Sequence, residues 1–167
     1  MAIGKSSLTQ ERLKELLRYN PETGEFIRLV RVARQTAGKV AGSVNNRKAV
    51  AIWVDKVQYL AHRLAWLYMT GSFPELYIDH INRDSLDNRW ANLRMATHQQ
   101  NMFNRPGNKG LSNIKGVYWN ARTKRWYIQI CYGGKIYSAG THTDLESAAK
   151  AAQAKRIEIH QEFACHG

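Results

Sequence analysis

The side chains best suited to chemistry lie between Tyr77 and Arg105. Asp79 and His80 stand side by side, Asn92 follows in a polar stretch, and Thr97, His98, Asn101 and Asn104 come after it. Hydrolysis of a phosphodiester needs an activated water, relief of charge on the transition state and help for the leaving oxygen. An imidazole titrates near neutrality and suits the first task as a general base. A carboxylate, an amide oxygen and water are hard donors, and together they suit one Mg²⁺ or Mn²⁺ ion. Asp79 and His80 are therefore the candidate metal ligand and candidate base.

Local pattern says how these groups would be held. Tyr77 to His80 reads as a short apolar strand, so backbone geometry fixes the Asp79 carboxylate and sends His80 to the opposite face. Thr97-His98-Gln99-Gln100 reads as a capping box, so a helix should begin near His98. Asn101 then falls in its first turn, with His98 and Asn104 three residues to either side on one face. His98 is an alternative second ligand or a phosphate contact, and is read as a support together with Asn104. Arg94 and Arg105 are candidate phosphate clamps, because a guanidinium fork matches phosphate oxygens. Asp84 and Asp87 read as turn residues of a polar loop.

This spacing closely resembles the HNH nuclease motif, in the variant whose last ligand is Asn. The resemblance implies a ββα-metal centre in which Asp79 and Asn101 hold one divalent ion. It also implies that His80 activates the water, and that Asn92, the middle Asn of the motif, staples the loop and so fixes His80. Cleavage to 5′-phosphate and 3′-hydroxyl ends and a phage or homing-type setting are implied in the same way. Commoner members carry His where Asn101 stands, which bears on metal preference.

Upstream, Leu8, Leu13, Leu16 and Leu17 share a helical face across residues 8–18, and Asn20-Pro21 should end that helix. Pro21-Glu-Thr-Gly24 signals a turn before a strand over 26–32. A second strand is expected over 49–54, followed by a hairpin return over 56–59. A helix over 59–70 should stop at Gly71. Residues 1–70 thus read as an α+β support that offers Arg31, Arg34, Lys39, Arg47 and Lys48 to a nucleic-acid backbone. His62, among apolar helix neighbours, reads as a packed structural histidine.

Arg105-Pro-Gly-Asn-Lys-Gly110 has linker composition, and residues 106–112 are expected to join two domains. Beyond it come three aromatic-rich strands: 116–120, 125–132 and 135–139. They are joined by the basic turn 121–124 and a Gly133-Gly134 hairpin. Thr143-Asp-Leu-Glu146 then reads as a capping box for an Ala-rich helix. Lys115-Gly116-Val117, Trp126 to Ile130, Gly140-Thr141 and that helix resemble the DNA-binding domain of plant ethylene-response (APETALA-type) transcription factors. The resemblance covers residues 113–163 and implies a sheet face that reads DNA.

Charge agrees with a sheet face of that kind. Residues 111–143 hold five Lys/Arg and no acid, while the helical part carries three basic and four acidic residues. Strand alternation puts Trp126, Ile128 and Ile130 on one side and Arg125, Tyr127 and Gln129 on the other. Lys115, Tyr118, Arg122, Arg125, Tyr127 and Gln129 are the candidate DNA contacts.

The whole chain of 167 residues carries 25 Lys/Arg against 13 Asp/Glu, a net charge of +12. That is the footprint of a polyanion binder. Cys131 and Cys165 show no metal-ligand or disulfide spacing. The N-terminus lacks an apolar signal core, and the apolar run 59–69 contains His62 and Arg63 and is too short to span a bilayer. A cytoplasmic protein is expected.

These readings combine into an α+β nuclease with a support at 1–70, a ββα-metal motif at 71–105 and a sheet-plus-helix reader at 113–163. Its expected substrate is double-stranded DNA. A monomer would nick one strand, whereas a homodimer could cut both. The rival reading is a sequence-specific DNA-binding regulator with an inactive nuclease centre. Retention of both Asp79 and His80 weighs against it.

Overall fold

The computed structural model describes residues 8–32, 36–105 and 111–164. Arg34, Cys165 and most of the expected linker lie outside the described residues. The chain falls into two compact units, one ending at Thr97 and the other beginning at His98.

The first unit opens with α1 (Gln10–Leu16), whose N-cap Thr9 accepts a hydrogen bond from the Arg12 amide at 3.2 Å. It is shorter than the leucine pattern suggests. Leu17 leaves the helix to begin β1 (Leu17–Tyr19), which pairs antiparallel with β2 (Phe26–Arg28). All four leucines of the pattern are nevertheless buried. The expected strand over 26–32 stops at Arg28, where the backbone is taken by Lys39 and Gly38. Leu29, Val30 and Val32 are exposed.

Next come β3 (Ser43–Val44), β4 (Val50–Val54) and β5 (Val57–Leu60), a sheet in that order. The β4–β5 turn is the pair Asp55-Lys56, both at positive φ, as a twisted two-residue hairpin requires. Helix α2 (Ala61–Thr70) follows, and Gly71 stops it at φ +83 with its amide on the Leu67 carbonyl.

Strands β6 (Tyr77–His80) and β7 (Leu93–Ala96) then pair antiparallel, joined by a loop that ends in a 3₁₀ turn over Trp90–Asn92. One core serves this whole unit: Leu13, Leu17, Phe26, Ile52 and Leu64 pack with Ile78 and Leu93. The β6–β7 hairpin thus shares its core with the elements that precede it.

The second unit contains α3 (His98–Phe103), β8 (Val117–Asn120), β9 (Arg125–Tyr132), β10 (Lys135–His142) and α4 (Leu145–His160). A final 3₁₀ turn covers Gln161–Phe163. The sheet order is β10-β9-β8, antiparallel throughout. Ile128 and Ile130 of the middle strand and Val117 of β8 pack on Ala148 and Ala152 of α4. Small residues at those two positions let the sheet approach the helix closely. The cap of α4 lies one residue later than the Thr143 box predicts. Asp144 is the N-cap, accepting from the Ser147 amide at 2.7 Å.

Among the described residues no helix is long and apolar enough to cross a membrane.

Candidate active site

Antiparallel pairing of β6 with β7 sets Asp79 opposite Arg94 and His80 opposite Leu93. Directly opposed residues share a face, so Arg94 meets Asp79 across the strands. Its Nε and Nη2 both donate to Asp79 Oδ2, at 2.9 and 2.8 Å. Asp79 is only 4% exposed, and this guanidinium compensates the charge of a carboxylate withdrawn from water. Arg94, expected to clamp a phosphate, is thus engaged within the site.

His80 lies on the other face of β6, the face that Ile78 shares with the core. It is 9% exposed. Its Nε2 lies 3.3 Å from the side-chain oxygen of Asn88. The orientation of that amide is set independently, because Asn88 Nδ2 donates to the Leu86 carbonyl at 3.1 Å. Oδ1 is therefore the atom that faces the imidazole, and an oxygen can only accept. Against that acceptor, Nε2 is the nitrogen that donates. The ring of His62, from the first turn of α2, meets the His80 ring at 5.1 Å and 89°. Burial, followed by the charges of His80 and Arg63, pushes the His62 pKa down to about 3.

The loop between the strands is tied by Asn92. Its Oδ1 accepts from the Asn82 amide at 2.9 Å, while its Nδ2 donates to Asn82 Oδ1 at 3.0 Å and to the Asp87 carbonyl at 2.7 Å. Asp84 accepts from the Leu86 amide. Asp87 accepts from Asn82 Nδ2 and from the Arg89 backbone and guanidinium. Those bonds, Arg89's first, hold the Asp87 pKa down at about 2. Both loop carboxylates are thus occupied in shaping the turn.

Asn88 was read only as part of that polar loop, yet it is 3% exposed and addresses His80. The N-terminal hairpin holds it. The Tyr19 hydroxyl donates to the Asn88 carbonyl at 2.6 Å, and the Trp90 amide donates to the Pro21 carbonyl at 2.9 Å. Burial, and secondarily the charge of Asp87, raises the Tyr19 pKa, so this hydroxyl stays a donor. A Cβ at Gly24, whose φ is +76, would stand 2.5 Å from the backbone of both Asn88 and Arg89. Sequence offered one hint of this buttress, the Pro-x-x-Gly turn, but no hint of its partner.

His98, Asn101 and Asn104 belong to the second unit, on or just beyond α3. The end of that helix is fixed within its own unit. Phe103 stacks on His160 at 3.9 Å, with the rings 4° from parallel. Lys115 Nζ donates to the Phe103 and Arg105 carbonyls at 2.7 and 2.5 Å. Lys115, expected on DNA, thus sits where an ammonium complements the helix C-terminus. The remaining candidates stay on the sheet. Tyr118 and Tyr127 stack cross-strand at 5.4 Å, and Arg122, Arg125 and Gln129 are exposed.

Among the described residues there is no group of three or more His, Cys, Asp or Glu able to hold a metal. A donor set of one carboxylate with an amide oxygen is of another kind and is untouched by that absence.

Residues 59–103 match the family model described as HNH endonuclease. The chain is 30% identical over 105 residues to Protein 3.8 of Escherichia phage T7, covering 62% of this chain and 86% of that protein. It is 45% identical over 111 residues to an uncharacterized HNH endonuclease of Acanthamoeba polyphaga mimivirus, covering 62% of this chain and 54% of that one. A solved structure of the HNH homing endonuclease I-HmuI aligns with a TM-score of 0.40 at 18% identity, over 52% of this chain and 49% of that one. The chain belongs to the HNH endonuclease family. It is an endonuclease, built here as a mixed α and β protein with small sheets.

Proposed function

We propose that this endonuclease hydrolyses the backbone of double-stranded DNA with one hard divalent ion, leaving 5′-phosphate and 3′-hydroxyl ends. The observation that carries the reading is the environment of His80: a buried imidazole, its Nε2 against Asn88, on the strand that presents the Asp79 carboxylate. With Nε2 as donor, Nδ1 is the nitrogen that takes the proton of the attacking water. The water oxygen bonds to phosphorus, the bond to the 3′-oxygen breaks, and that oxygen takes up a proton from solvent water. Asn92 serves by keeping the loop, and through it Asn88, in place.

The donor set fits Mg²⁺ or Mn²⁺. Asp79 supplies a hard anionic oxygen, and Asn101 is the second ligand that the resemblance implies. These two would hold the ion. When bound, it would relieve charge on the transition state and on the leaving oxygen. Arg105, exposed beyond α3, is the remaining phosphate clamp among the guanidinium candidates. The exposed basic and aromatic face of β8–β10 is the DNA reader in this reading. Its likeness to ethylene-response-factor domains rests on the strand and helix residues quoted above. One active site per chain makes a monomer a nicking enzyme, in keeping with a phage-encoded or homing-type role.

Supercoiled plasmid tests this. Mg²⁺ should yield relaxed circles, and chelator should abolish them. Asp79→Ala and Asn101→Ala should each lose most metal-dependent cleavage while circular dichroism stays unchanged. His80→Ala should slow single-turnover cleavage by roughly 10²–10⁴-fold at unchanged affinity. A parental rate in Asn101→Ala, with a slow His98→Ala, would move the second ligand to His98.

A further inference from the structure

We propose that His62 is a positioning residue for His80: its ring, packed edge-to-face on the imidazole, holds that imidazole in the plane Asn88 specifies. The proposal rests on reading His80 as the general base.

The 3.3 Å contact to Asn88 holds one nitrogen of His80. The plane of a buried ring is also set by what lies against it, and the perpendicular ring of His62 at 5.1 Å is such a surface. The restraint is only as firm as the element behind it. His62 is the second residue of α2, whose Ala61, Leu64 and Leu67 are buried in the core. The first turn of that helix therefore cannot withdraw without opening the core.

The residue type suits the position. An imidazole beside a base would hinder it if both rings carried charge. Burial holds the His62 pKa down to about 3, so at neutral pH it is an uncharged aromatic plate. It adds no repulsion when His80 takes a proton from water. The family match begins at residue 59 and so includes the first turn of α2 with the β6–β7 hairpin. Sequence alone places His62 in an apolar helix and gives no reason to bring it to His80.

The test is single-turnover cleavage of one duplex in Mg²⁺ by the full chain, with affinity measured on the same duplex in chelator and stability by urea titration. The variants are His62→Ala, His62→Leu, His62→Phe and His80→Ala, with His62→Ala also combined with His80→Ala. Misplacing a reacting group by about 1 Å costs on the order of 10²-fold, and His62→Ala should lose about that in rate without losing affinity. His62→Leu, which fills the space without a ring plane, should also be slow, and it serves in place of Ala if the Ala variant does not fold. His62→Phe should recover most of the rate. With His80 already replaced, His62→Ala should lower the residual rate no further, because a positioning residue acts only through its client.

A His62→Ala and His62→Leu pair at the parental rate would overturn the proposal, as would a further loss in the double variant. A folded His62→Phe as slow as Ala would also overturn it, assigning the role to imidazole chemistry instead of ring shape. A parental rate in His80→Ala would overturn the base reading itself, a result distinct from all of these.

Discussion

A protonation state is a matter of single residues, and here two of them set how stability should depend on pH. His62 has a folded pKa of about 3, against roughly 6.5 for an unperturbed histidine. Between those values the unfolded chain binds the extra proton, so stability should fall as pH drops below about 6.5. Asp87 acts in a lower window. Its folded pKa of about 2 lies below the unfolded value of about 3.9, so its contribution is present above pH 4 and lost on acidification toward 2. Asp55 and Asp144, also depressed, share the lower window. His160, held down by burial, shares the upper one. Urea titrations across pH 4–7 should therefore give a flatter profile for His62→Phe, by up to one proton or about 1.4 kcal/mol per pH unit. Asp87→Asn should change the profile only below about pH 4. An unchanged upper window in His62→Phe would mean that His62 is not held neutral by its surroundings.

Between elements, the decisive contact is the turn of the N-terminal hairpin against the β6–β7 loop. Gly24 and Gly38 both sit at positive φ, yet only Gly24 faces backbone, at 2.5 Å from Asn88 and Arg89. Gly38→Ala should incur only the cost of its conformation, about 1 kcal/mol, and should cleave normally. Gly24→Ala should lose about 2 kcal/mol or more, and it should also cleave slowly, since its clash displaces the residue that addresses His80. Thermal melts with single-turnover rates separate the two, and equal behaviour would dismiss the buttress.

This contact also marks where sequence reading ended. Local signals carried β4, β5, the Gly71 stop, the start at His98 and the three C-terminal strands, because capping, turn chemistry and alternation act within a few residues. Leu17 to Tyr19 read as helix, since leucine spacing is blind to a strand partner nine residues away. Val30 and Val32 read as strand on propensity alone, although the ladder at Arg28 is closed by Lys39 and Gly38. The strand under Asp79 and His80, the loop tied by Asn92 and the helix start after Thr97 were legible because their signals are local. Asn88, Tyr19 and His62 were not, because what makes them matter comes from pairings 8, 69 and 18 residues away in the chain.

At the scale of the whole molecule, the net charge of +12 must be apportioned before it explains any affinity. Of the five basic residues in 111–143, Lys115 is turned to the carbonyls at the end of α3, while Arg122, Lys124, Arg125 and Lys135 are exposed. Charge that meets phosphate releases counterions, and each contact adds about 0.9 to the slope of log affinity against log salt. If the sheet face is the reader, replacing Arg122, Lys124 and Arg125 together by Ala should reduce that slope by up to roughly 3. Lys115→Ala removes the same charge per residue but should leave the slope unchanged. Its loss should instead lower the cleavage rate, because the helix that carries Asn101 loses its C-terminal tie. Anisotropy of a labelled duplex in chelator, from about 50 to 200 mM salt, separates the two classes of lysine and arginine. A parental slope in the triple variant would move DNA reading off this sheet. A reduced slope in Lys115→Ala would return that residue to the phosphate backbone and leave α3 to be held by the Phe103–His160 stack.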